Sequence, residues 1–471
     1  MKRLAWIALA VAGALAALSG QEKEKATIDI IKPPGGHKLR IAIPEFRGSG
    51  AAQSFMGAFN ETLRGDVKNS GVLEVVPDTM YPKTIPQQPS DFRQPPPVVE
   101  TPRSRRDELV APPNGGGLWM TDWSGPPVTA GYLAFGYTAV VNNVLVLYGY
   151  LYDLSRGTPA NAQVIGKQYL ASSVDDAGAR QVAHQFAADI VTLFGGKSLF
   201  GSHIYYVHQA GFRGPKEIWA MDPDGKNQRP ITHYSSLTIE PSVSPDGSKI
   251  AFTSYTKGRP AIFVFSVNPV RNLGFYNQDA SMNAQPSFTP DGKQIVYSST
   301  AGSSGQLCRI FIANLDGSGF RPLTSSRFID TEPKVNPKGG TIVFSSGRSG
   351  PEQIYMMNMD GADIERLSEG SGEASNPSWN PDGQHIAFAW TRGYAAGQFN
   401  VFTMDVASRS YVQLTHDEGK NENPSWAPDG VHLAFMSNRT GREQIYTMLA
   451  DGSQVQQLTH DGLNFSPAWG Q

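Results

Sequence analysis

The sequence predicts a multidomain chain: a small N-terminal α/β domain followed by a six-bladed β-propeller closed by the C-terminal strand. Three observations carry this. A motif of the form PSWNPDGQHIAF recurs, its opening prolines at Pro241, Pro286, Pro333, Pro377, Pro424 and Pro467, in steps of 45, 47, 44, 47 and 43 residues. Such a period belongs to propellers or solenoids. Each repeat holds four short β-branched or aromatic runs, and the partial units at the two ends of the array are complementary.

Residues 1–20, MKRLAWIALAVAGALAALSG, have the layout of an export signal: Lys2 and Arg3, an apolar run from Leu4 to Leu18, then small residues. That run is shorter than the ~20 residues of a membrane span, and the polar QEKEK follows. Cleavage and export are expected. No cysteine stands near the junction, so no lipid anchor is expected there, and Cys308 alone allows no intrachain disulfide. A net charge of −2 gives no global attraction to nucleic acid or an anionic membrane. Residues 21–38 are expected to form an N-terminal tail.

The α/β domain is expected over residues 39–196. LRIAIPEF (39–46) and VLEVVP (72–77) read as strands. Phe55, Phe59, Leu63 and Val67 recur every four residues, as on a helix that ends near Gly71. Residues 82–127 carry eleven prolines and the basic RSRR at 103–106, which reads as a loop or disordered insertion rather than core. YLAFGYTAVV (132–141), Asn142-Asn143 and VLVLYGYLYDL (144–154) read as a hairpin, and QVIGKQYL (163–170) as a further strand. Val182, Phe186, Ile190 and Phe194 mark a helix that stops at Gly195-Gly196. A short connector, KSLFGS, leads into the ring.

The propeller is expected over 203–471. In each unit a short first strand is followed by a tight turn, PDG at 245–247, 290–292, 381–383 and 428–430, replaced once by Pro337-Lys338-Gly339. Proline presets φ there and glycine accepts the left-handed position. Second strands such as IAFTS (250–254), third strands such as IYMMN (354–358) and endings such as QQLT (456–459) complete the units. At 203 the first unit lacks its opening strand, and SPAWGQ (466–471) supplies it, so the ring closes without free edges. The second blade is the irregular one, its fourth strand near Leu273 to Tyr276 lacking the LT ending.

Reactive constellations are scarce. There is no GxSxG elbow and no HExxH, and the nine histidines show no zinc spacing. Gly195-Gly196-Lys197-Ser198 fails as a phosphate loop because Val191 stands where the first glycine belongs. His203 and His208 read as surface or packing residues, and the PDG aspartates as turn formers. No catalytic residue, cofactor or metal ligand is assigned, although a divalent cation in the channel is allowed for.

Recognition is expected on the face of the 2–3 and 4–1 loops, which are longer and more variable than the PDG-side turns. The 2–3 loops are basic: Arg213, Lys257, Arg259, Arg348, Arg392, Arg439 and Arg442. The candidate partner-binding set comes from the other loops: Glu240, Met282, Gln285, Asp330, Thr331, Glu332, Glu373, Asn376, Glu422, Asn423, Asn464 and Ser466. Six of these, Glu240, Gln285, Glu332, Asn376, Asn423 and Ser466, immediately precede the repeat prolines and should ring the channel mouth.

The P-S-W-x-P-D-G-x-x-I-A-F repeats, the third strands leading into D-G turns, the Q-L-T endings, the preceding LRIAIPEF and VLEVVP segments and the export signal together resemble the TolB family of the Tol–Pal envelope system. The resemblance covers nearly the whole mature chain. It implies a non-enzymatic periplasmic adaptor, a monomer, that supports outer-membrane integrity and cell division. The propeller would bind the peptidoglycan-associated lipoprotein, Pal. The tail, with Thr27, Ile28, Asp29, Ile30 and Ile31, would engage the inner-membrane protein TolA, and its alternating β-branched run suits strand addition. The 82–127 insertion is longer and richer in proline than the family pattern. Two other classes remain open: a propeller enzyme or peptidase lid, which needs an acid/base cluster or cofactor in the channel, and a general periplasmic scaffold with an unrelated partner.

Overall fold

The structure, a computed structural model, describes residues 38–93, 116–275, 281–303, 307–325 and 327–471. The export signal, the tail with TIDII, and RSRR lie outside the described residues.

The N-terminal region is built on one mixed sheet. Leu39–Ala42 pairs in parallel with Leu73–Val75 and Tyr132–Val141, and the antiparallel Val144–Asp153 and Gln163–Leu170 extend it. The helices Met56–Asn69 and Asp176–Leu193 cover one face. Their four-residue apolar periodicity places Phe59, Leu63, Val67, Val182, Phe186 and Ile190 in a single core. Asp175 caps the second helix by accepting from the Gly178 amide at 2.8 Å, and Gly195 beyond its end takes φ +80°.

The other face corrects the expectation for 82–127. Both described flanks of that stretch are core: Phe92, Met120 and Trp123 pack with Phe135 and Tyr152 from the hairpin. The Phe92 ring lies 5.3 Å from Phe135 and 5.4 Å from Tyr152. Buried Trp123 donates its indole N–H to the Gly117 carbonyl at 2.9 Å. A sheet with a hydrophobic second face needs a cover, and proline-flanked single turns supply it.

Six four-stranded antiparallel sheets follow. Blade 1 consists of His203–Gln209, Glu217–Met221 and Arg229–Pro230, with Leu463–Gly470 paired along His203–Gln209 as its first strand. Blades 2 to 6 open with Thr238–Val243, Asn283–Phe288, Asp330–Val335, Ala374–Trp379 and Asn421–Trp426. The turn glycines Gly247, Gly292, Gly383 and Gly430 all have φ between +65° and +75°.

The Q-L-T ending has a physical reason. Most fourth strands pair over only two residues, which leaves a third-strand amide to be satisfied. The hydroxyls of Thr232, Thr324, Ser368, Thr415 and Thr459 accept from the amides of Ile218, Ile310, Ile354, Val401 and Ile445 at 2.9 to 3.1 Å. Among the described residues, blade 2 shows no such contact. Its fourth strand is the three exposed residues Val270–Asn272, slightly before the expected place.

The N-terminal region docks on the short-turn side of the ring. Imidazole Nε2 of His432, which follows the blade 6 PDG turn, lies 2.6 Å from the Asn69 carbonyl, and Asn69 donates to Gln456 at 3.4 Å. Among the described residues, these contacts leave the face with the 2–3 and 4–1 loops open.

Candidate functional site

Each first strand carries the same irregularity. The ladder to the second strand skips two residues, between Ile239 and Ser242, Ala284 and Ser287, Thr331 and Lys334, Ser375 and Ser378, Glu422 and Ser425, and Phe465 and Ala468. The skipped pair is always a polar residue followed by proline. Glu240, Gln285, Glu332, Asn376, Asn423 and Ser466 all have φ between +45° and +57°. Positive φ in a non-glycine residue costs ~1–2 kcal/mol, and six equivalent instances make this a built feature. The bulge turns each side chain into the channel, where all six line one cavity with Pro241, Pro377, Pro424, Pro467 and Lys334.

Hydrogen bonds from blade to blade offset that cost. The Glu240 carboxylate accepts from the Gln285 amide at 3.2 Å, and the Gln285 carboxamide from the Glu332 amide at 3.0 Å. Glu332 accepts from both the amide and the side chain of Asn376, each at 2.6 Å, and Asn376 accepts from the Asn423 amide at 3.4 Å. A second tier uses the residue after proline: Ser287, Ser378 and Ser425 accept from Val335, Trp426 and Trp469 amides. In blade 4 that serine is replaced by Lys334, which among the described residues is the one ammonium lining the channel cavity.

The electrostatics follow from this packing. Burial pushes the Glu240 carboxyl up, and nearby Glu332 adds to the rise. Burial lowers the Lys334 ammonium, against the pull of Glu332 and Glu240. At the rim, burial and then the charge of Glu332 raise Glu352 to about 7. Glu422 is raised by burial and held in check by Lys420, 2.9 Å away. The mouth is therefore acidic around a central lysine. A divalent cation has a poor seat here: Lys334 occupies the cavity, and among the described residues the cluster of metal-type donors lies elsewhere.

Comparisons with known proteins fit this architecture. The TolB beta propeller domain family matches residues 191–392 and 365–471, more than half of the chain. The chain belongs to the TolB β-propeller family. A TolB homolog of Chlorobium luteolum is 37% identical over 293 residues, 62% of this chain and 65% of the relative. The Tol-Pal system protein TolB of Bordetella pertussis is 39% identical over 178 residues, 37% of this chain and 39% of the relative. The chain thus spans less than two thirds of the length of these TolB relatives. TolB from Acinetobacter baumannii, at 20% identity, shares the fold with a TM-score of 0.70 over 92% of this chain and 97% of its own.

On this TolB-type ring the predicted residues divide. Met282, Thr331, Glu373 and Glu422 are half-buried at the rim, where a partner could reach them. Asp330 and Asn464 are corrections, because both are buried. Asp330 binds the Arg348 guanidinium at 2.8 Å and Ser346 at 2.6 Å. Asn464 bonds to His208, at 2.9 Å, and to Gln444. Each stands at the start of a first strand, Asp330 as its first residue and Asn464 as its second, and satisfies neighbouring groups rather than a partner.

The basic loops are also more structural than they read. Arg348 stacks on Phe344 and Tyr355, Arg392 on Trp390 and Tyr411, and Arg439 on Phe435 and Tyr446, each within 4.9 to 5.4 Å of the ring centres. An arginine four residues after the second-strand phenylalanine was the available signal. Glu352 was missed too, though EQIY at 352–355 and 443–446 marks it as a repeat position. His184, Asp66, Asp222 and Asp224 meet between the two regions and offered no spacing signal.

Proposed function

We propose that this chain is a non-enzymatic periplasmic adaptor of a Tol–Pal-type envelope system. It binds the peptidoglycan-associated lipoprotein at the channel mouth and TolA through the tail around Thr27 to Ile31, supporting outer-membrane integrity and cell division. The observation that carries the reading is the mouth itself. Six strained polar residues, one per blade, fix a rigid ring, and the half-buried rim residues Met282, Thr331, Glu373 and Glu422 stand around it on the face that the described part of the N-terminal region leaves open. A rigid site loses little entropy when a partner docks. The relatives' names point to a Tol–Pal role, and none is the name of an enzyme.

The test is capture from solubilised envelope with the mature chain as bait. Recovery of a lipoprotein bearing a peptidoglycan-binding domain is expected, and TolA is expected to be lost when residues 22–34 are deleted. Recovery of neither protein refutes the proposal.

A further inference from the structure

We propose that His184, Asp222 and Asp224 form a binding site for a divalent transition-metal ion of the Zn²⁺ type, which clips the N-terminal region to blade 1. One donor atom from each of the three lies within 4.8 Å of the others. Donors bound ~2.1 Å from one ion cannot be more than ~4.2 Å apart, so side-chain adjustments of less than about an ångström close the site. His184 comes from the Asp176–Leu193 helix, whereas Asp222 and Asp224 come from the 3–4 turn of blade 1. The ion would therefore bridge the two regions.

A group outside the cluster orients the histidine. Asp66, on the Met56–Asn69 helix, lies 2.6 Å from His184 Nδ1, which leaves Nε2 for the ion. A carboxylate behind a metal-binding imidazole fixes its tautomer and raises its basicity. Asp222 accepts from the Asn227 side chain at 2.6 Å through one carboxylate oxygen and lies 3.2 Å from His203 Nδ1 through the other, Asp224 accepts from the Lys226 amide at 2.9 Å, and both retain acceptor capacity. Arg180 and Lys197 line the same cavity, but among the described residues neither makes an ion pair with these carboxylates. One imidazole with two carboxylates favours Zn²⁺ or Co²⁺ over Ca²⁺ or Mg²⁺, which prefer all-oxygen sets. The adjoining cavity of about 380 Å³ leaves room for a water ligand and a path for entry.

The test titrates the tag-free chain with Zn²⁺ by calorimetry and with Co²⁺ by visible absorption. Binding should saturate at one equivalent, raise the melting temperature and reverse with EDTA. Asp224→Asn removes one ligand while keeping a residue able to accept from Lys226, so it should fold and bind Zn²⁺ at least tenfold more weakly. Asp66→Asn, at the positioning residue, should weaken binding by roughly 10- to 100-fold and alter the Co²⁺ spectrum. Asp382→Asn, at an unrelated aspartate–histidine turn, should change neither. No one-equivalent binding, or equal affinity in Asp224→Asn, overturns the site and leaves an imidazolium–carboxylate network in its place.

Discussion

The ring and the N-terminal region solve the same problem in different ways. In the ring, each device is copied around an axis: the bulged polar–proline pair, the hydroxyl after the fourth strand, the stacked arginine. In the N-terminal region each device occurs once, as with the Trp123 anchor under the hairpin and the Asp66–His184 contact. Repetition spreads stability over many modest contacts, and blades lean on their neighbours. A single-copy core concentrates it, so one residue there should matter more than one residue of the ring.

The largest break comes from removing the clasp. Deleting residues 463–471 exposes the His203–Gln209 edge and removes buried Leu463 and Trp469. We expect a loss of roughly 5 kcal/mol or more, lowering the melting temperature by roughly 10 °C. An unchanged transition in calorimetry would contradict ring closure.

Trp123→Ala tests the single-copy core. It removes a fully buried indole and its bond to Gly117, for about 3–5 kcal/mol in urea unfolding. A loss below 1 kcal/mol would return the proline-rich flanks to the status of loop.

Gln285→Ala breaks one inter-blade link, leaving the Glu332 amide and the Ser298 hydroxyl without the carboxamide oxygen. A cost of about 1–2 kcal/mol is expected, smaller than that of Trp123→Ala. A larger cost would mean that the channel links act as one cooperative unit.

The smallest effect is a pH dependence. His385 is raised above 6.5, first by its hydrogen bond to Asp382, and Asp382 and Asp405 lie below 3.8. The histidine's contribution is complete below pH 6.5 and is lost as pH rises through its folded value. The aspartates' contributions hold above pH 3.8 and fade as pH falls through their depressed values. The stability gap between wild type and His385→Asn should therefore be widest near pH 5 to 6 and shrink by pH 8.5. Solvent screening keeps it below about 1 kcal/mol. A gap that does not vary with pH would show that His385 acts by packing alone.

How much could be read in the sequence follows the same division. Most of what recurs was visible: the blade count, the closing strand, the six residues before the prolines. The function of the Q-L-T threonines and the stacking of Arg348, Arg392 and Arg439 left traces at fixed spacing, though their meaning needed coordinates. Asp330 was misplaced at a partner surface because strand alternation does not report that a charge is buried against an arginine. The core role of Phe92 and Trp123 was hidden because proline-rich composition signals turns and says nothing about what those turns cover. Asp66 and His184 are 118 residues apart, beyond any local pattern.

The central claim is that the open face of the ring holds a protein partner. Titrating the chain with the soluble part of a peptidoglycan-associated lipoprotein, as wild type and as Glu373→Lys/Glu422→Lys, tests it most directly. These rim positions lie outside the inter-blade chain, so the melting temperature should hold while affinity falls at least tenfold. Saturable binding that the double variant leaves unchanged, or no saturable binding by wild type, would contradict it.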